Sequence, residues 1–132
     1  MNQKLALALF SAVLLFAGIL HSQSLDSITA DPQHYKVQRS LGDTRVLRAT
    51  FGPHDKSRLL SEPERLVVCL SFVNLRLTRE DGVHDEFMCK VGAVLRLPAG
   101  THRIENLGDD PAEFLTIQVD KTTQPAIKRN PV

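Results

Sequence analysis

Apolar and polar positions alternate with a period of two along most of the chain after residue 43, which is the pattern of half-buried strands. In Arg45-Val46-Leu47-Arg48-Ala49-Thr50-Phe51, the residues Leu47, Ala49 and Phe51 share one parity and Gly52-Pro53 ends the run. His54 to Arg65 is polar, carries Pro63 and reads as loop and turn. Leu66 to Val73 is apolar at both parities and predicts a strand buried on both faces. Asn74 to Arg79 alternates again, with Leu75 and Leu77 inward, and Glu80-Asp81-Gly82 is a hairpin signal leading into a return strand through Phe87 to Val91. After Gly108-Asp109-Asp110-Pro111, the residues Leu115, Ile117 and Val119 form the inward set of a last strand.

The centre of the pattern is Gly92 to Asn106, a short strand, a turn at Pro98-Ala99-Gly100 and a second strand. Pro98 fixes φ at the turn, and Gly100 permits the positive φ that a reversal often needs. His102, Ile104 and Asn106 share one parity, so an inward Ile104 carries a polar pair inward with it. Residues 25–43 are a polar N-terminal arm that lays one strand near Tyr35 to Gln38 along an edge, and residues 121–132 read as a frayed tail. Seven or eight strands with turn signals roughly every 8 to 12 residues predict an all-β barrel or sandwich spanning residues 44–120.

The first 24 residues read differently. Lys4 precedes an apolar run from Leu5 to Leu20, short of the roughly 20 residues that span a bilayer, and Ser22 and Ser24 suit cleavage after Ser24. The expectation is a signal peptide, with export to the periplasm or the exterior and no stable membrane span after cleavage. Losing Lys4 brings the 16 basic residues level with the 15 acidic ones, which argues against a nucleic-acid partner. Cys69 and Cys89 both lie in the exported part, where a disulfide is permitted. Their apolar, strand-like settings favour a pair of buried thiols instead.

Several of these stretches resemble the small single-domain cupins. They are Gly52-Pro53-His54-Asp55-Lys56-Ser57, Pro63-Glu64-Arg65-Leu66-Val67-Val68, and Gly92 with Pro98-Ala99-Gly100-Thr101-His102 and Asn106. The ending Glu105 to Asp109 with Pro111-Ala112-Glu113 is similar to that family too, and the likeness covers about residues 44 to 120. It implies a cupin-like jelly-roll β-barrel whose interior usually holds a divalent metal. The second motif of the family is matched, though one residue rather than two separates Gly100 from His102. The first motif is degenerate. Its two histidine positions fall on Leu60 and Glu62, and its glutamate position falls on Leu66 or Val67.

Of the usual ligands only His102 stands in its ordinary form, with Glu62 as a chemically competent substitute and Glu64 or His54 as further donors to an oxygen-rich site. Metal sites need three or four deprotonated donors in one cavity, and leucine donates nothing. The expectation is therefore an exported domain without a cofactor. Its ligand-binding candidates are His102, Asn106 and Glu62, and it acts as a non-catalytic small-ligand-binding or structural module. The alternative is a metal-dependent enzyme of oxygenase, isomerase or decarboxylase type, ligated by Glu62 and His102. Other readings stay open beside these: His102 hydrogen-bonded to Asn106, and Glu62 exposed or paired with Arg58 or Arg65. The resemblance also implies homodimers paired through sheet edges.

Overall fold

The computed structural model describes residues 26–119. The expected signal peptide at 1–24 and the expected tail at 121–132 lie outside the described residues. A short helix, α1 (Ser27–Ala30), is capped by the Asp26 side chain, which accepts from the Ile28 backbone N–H. Nine strands follow: β1 (Tyr35–Leu41), β2 (Thr44–Phe51), β3 (Leu60–Glu62), β4 (Arg65–Cys69), β5 (Val73–Arg79), β6 (His84–Cys89), β7 (Val94–Leu97), β8 (Gly100–Asn106) and β9 (Ala112–Val119). All named pairings are antiparallel, in one sheet of order β1-β2-β9-β4-β7 and a second of order β3-β8-β5-β6. The sheets face each other without closing into one hydrogen-bonded cylinder, so the expected barrel is a two-sheet sandwich.

Period-two burial builds the core from both sheets. Leu47, Ala49 and Phe51 of β2 and Phe114 of β9 meet Val73, Leu75 and Leu77 of β5 and Ile104 of β8. Phe51 and Phe114 stack with centroids 6.0 Å apart, and Tyr35 packs edge-on against Phe51. Each fully buried side chain of this size contributes on the order of 1.5–3 kcal/mol relative to exposure. The β5–β6 hairpin turns where expected. Gly82 adopts φ 83°, a left-handed conformation with little penalty for glycine, and Arg79 N–H donates to Val83 O.

Four sequence expectations are overturned, the first being the reading of His54 to Arg65 as loop and turn, since that stretch contains β3 and the first residue of β4. The run Leu66 to Val73 is not one strand buried on both faces. It is cut at Leu70–Phe72 into β4 and the start of β5, with Leu66, Leu70 and Phe72 exposed. Among the described residues no second layer covers the outer face of the five-stranded sheet, as antiparallel sheets allow. The inward parity of β9 is also reversed: Ala112, Phe114, Thr116 and Gln118 are buried, while Val119 is exposed. Apolar residues sit at both parities there, and the interior that receives Thr116 and Gln118 is partly polar. Finally, Cys69 and Cys89 form a disulfide, not a buried thiol pair. They end β4 and β6, one in each sheet, and their Cα atoms lie 6.2 Å apart, within bridging distance.

Candidate functional site: a buried glutamate, arginine and histidine between the sheets

The chain crosses from one sheet to the other at Pro63-Glu64. β3 pairs with β8, placing Leu60 opposite His102 and Glu62 opposite Gly100. β4 then pairs with β9, placing Arg65 opposite Gln118. Glu62 and Arg65, three residues apart, therefore project into the same interior from opposite sheets. His102 joins them because it shares the inward parity of Ile104 and Asn106, as the alternation predicts. The three side chains are 4%, 2% and 4% exposed.

Their polar atoms form a triangle. Arg65 Nη2 donates to Glu62 Oε2 at 2.6 Å, and His102 Nε2 lies 3.0 Å from each of those two atoms. Depending on its tautomer, Nε2 either donates to the carboxylate or accepts from the guanidinium. With Nε2 unprotonated, Arg65 donates to both groups that would ligate a metal; with Nε2 protonated, Arg65 and His102 both donate to Glu62. Buried charges survive when they are paired and hydrogen-bonded; here Glu62 and Arg65 are paired through one oxygen and one nitrogen, while Glu62 Oε1 and Arg65 Nε have no hydrogen-bond partner among the described residues.

Further polar groups line the same region. Tyr35 Oη, Glu62 Oε1, Arg65 Nε, Thr116 Oγ1 and Gln118 Nε2 are buried without a hydrogen-bond partner among the described residues. Burial raises the Tyr35 phenol well above its ordinary value, reinforced by the Glu62 carboxylate, so it stays a neutral donor. α1 packs over β3, and Asp26 is tied to Arg45, whose guanidinium also donates to Gln118 Oε1.

The other sequence candidates go elsewhere. Asn106 is fully buried, but its amide donates to Gly52 O and Asp110 O and accepts from Gly108 N–H, holding its own loop. No hydrogen bond joins it to His102. Glu62 selects Arg65 rather than Arg58 and is not exposed. His54 is exposed beside Asp109, and Glu64 pairs with Arg96 on the outer face, so neither joins His102 and Glu62 as a donor. Among the described residues no three His, Cys, Asp or Glu side chains are grouped to hold a metal ion. Two donors already paired with an arginine do not fit a divalent cation.

One charged cluster escaped the sequence reading. His34, 5% exposed, places Nδ1 2.8 Å from both Asp31 carboxylate oxygens and Nε2 2.6 Å from Asp55 Oδ2, with its ring stacked on Phe51 at 4.4 Å. Carboxylates accept only, so an imidazolium satisfies both contacts. Burial opposes that charge, but hydrogen bonds and charges from Asp55 and Asp31 raise its pKa above 6.5. The Asp-x-x-His spacing in 31–34 was the available signal. The partner Asp55 lies 21 residues away, beyond what local spacing reveals.

No family model matches the chain, and no curated protein matches it. Solved structures do. A cupin domain from Bordetella pertussis aligns at 20% identity over 65% of this chain and 91% of that one, with a TM-score of 0.59. A Klebsiella pneumoniae protein with a double-stranded β-helix domain aligns at 17% identity over 64% and 74%, with a TM-score of 0.52. A cupin-like protein from Thermotoga maritima aligns at 14% identity over 69% and 71%, with a TM-score of 0.50. The two-sheet sandwich described here has the cupin fold.

Proposed function

We propose that this chain is an exported cupin-fold domain that works without a metal, as a small-ligand-binding or structural module rather than an enzyme. The observation that carries the reading is the engagement of Glu62 and His102 with Arg65, while Leu60, opposite His102, is fully buried and has no donor atom. The region beside them supports a ligand of mixed character. Tyr35, Thr116 and Gln118 carry buried polar atoms without a partner among the described residues, and Tyr35 shares the apolar core with Leu60. His102 and Glu62 would face such a ligand, and Asn106 would shape the neighbouring loop.

Export rests on the apolar segment before Ser24, and the disulfide agrees with an oxidising compartment. A homodimer belongs to the same proposal. The outer face of the five-stranded sheet supports it, with Leu66, Val94 and Val119 all exposed. A light-scattering mass at twice that of the mature chain is expected, and a monomer mass removes the dimer. For the module itself, thermal-shift screening against small hydroxylated and carbonyl compounds is the test. A His102-dependent rise in Tm supports ligand binding, because ligands of the native state raise it. Turnover requiring an added divalent metal would overturn the reading in favour of an enzyme ligated by Glu62 and His102.

A further inference from the structure

We infer that Arg65 is the built-in cation of this site, its guanidinium taking the electrostatic place that a divalent metal would have between Glu62 and His102. The inference rests on the metal-free reading above and deepens it by naming the residue responsible. The guanidinium is planar, permanently charged and donor-rich, so one side chain can satisfy a carboxylate and an imidazole together. With His102 Nε2 unprotonated, Arg65 donates to both through a single nitrogen, 2.6 Å from Glu62 Oε2 and 3.0 Å from His102 Nε2. Its Nη1 lies within 3.4 Å of Pro63 O and 3.5 Å of Pro98 O, tying it to the crossover and to the β7–β8 turn. Those two segments carry Glu62 and precede His102, so the cation is fixed by the same turns that position both donors. A metal entering here would have to share Glu62 and His102 with a fixed positive charge, a repulsion strengthened by burial. The unpartnered Glu62 Oε1 is the carboxylate oxygen left over when a single nitrogen takes the other.

The test is cation rescue in the mature chain. Arg65→Ala removes the guanidinium and leaves both donors. Zn²⁺, or guanidinium at concentrations well below denaturing, is expected to raise the Tm of Arg65→Ala by about 5 °C or more, while leaving the wild type unmoved. Urea at the guanidinium concentration is the neutral control and is expected to give no rise. If neither cation raises the Tm of Arg65→Ala while the wild type stays inert to Zn²⁺, the role assigned to Arg65 is overturned but the metal-free reading stands. If Zn²⁺ stabilises the wild type and His102→Ala abolishes that effect, both fall. Should Arg65→Ala fail to fold, NMR of the unmodified protein decides. Slowly exchanging Arg65 Nη protons with cross-peaks to the His102 ring support the assignment, and fast exchange without cross-peaks overturns it.

Discussion

Replacing His34 by Phe keeps an aromatic ring stacked on Phe51 and removes both carboxylate contacts. Asp31 is fully buried and would keep only the Arg58 backbone N–H at 3.1 Å. Breaking a buried ion pair from one side costs roughly 3–5 kcal/mol. The Asp55 half adds little, about 1 kcal/mol or less, because that side chain is 45% exposed. At the low end of the range for a buried pair, about 3 kcal/mol, the expected drop in Tm is about 15 °C for a domain near 100 residues. The pH dependence fixes the cause. His34 has its folded pKa raised above 6.5, so its contribution is complete below that value and is lost as pH rises through the raised one. Asp55 is held below its usual range chiefly by the His34 hydrogen bond, and its share disappears only as pH falls through that depressed value. Circular-dichroism melts of wild type and His34→Phe from pH 5 to 9 at fixed ionic strength should show a gap that narrows as pH rises. A gap that is constant or widens over that range refutes the imidazolium clamp.

Reducing the disulfide frees a loop with a sequence separation of 20, worth about 3 kcal/mol in the loop-entropy treatment. Calorimetry with and without reductant should show a Tm lower by about 15 °C, and a shift under about 3 °C would contradict the estimate. Arg65→Met should cost roughly 3–5 kcal/mol by leaving the Glu62 charge buried, and adding Glu62→Leu to it should recover part of that loss. Additive losses in the double variant, measured by urea denaturation, would contradict direct coupling of the pair. Cleavage after Ser24, as proposed, leaves a chain that begins at Leu25, which an intact mass decides; retention of Met1 contradicts it.

Strand positions were largely legible because the period-two pattern is local. The inward parity of His102, Ile104 and Asn106 followed from it directly, and Asp81-Gly82 marked its hairpin. The pattern failed where both parities are apolar. In β9, Leu115 and Ile117 competed with Phe114, and hydrophobicity chose the wrong face because Thr116 and Gln118 line a polar interior. In Leu66 to Val73 it missed the break at Leu70–Phe72, since no strong turn residue marks it. Glu62 and His102 were identified individually through the resemblance. Their convergence on Arg65 depends on β3 and β4 lying in different sheets, which no local pattern encodes. The Cys69–Cys89 bridge and the Asp31–His34–Asp55 cluster were out of reach for the same reason: each joins segments whose proximity is set by topology.

The central claim is that the cation between Glu62 and His102 belongs to the protein. Its most direct test is the metal content of the mature chain, residues 25–132, purified without chelator or affinity-tag nickel and measured again after attempted reloading. The account requires well under about one-tenth of an equivalent of any divalent metal, with no rise in Tm on reloading. Near-stoichiometric metal that disappears in His102→Ala would contradict it.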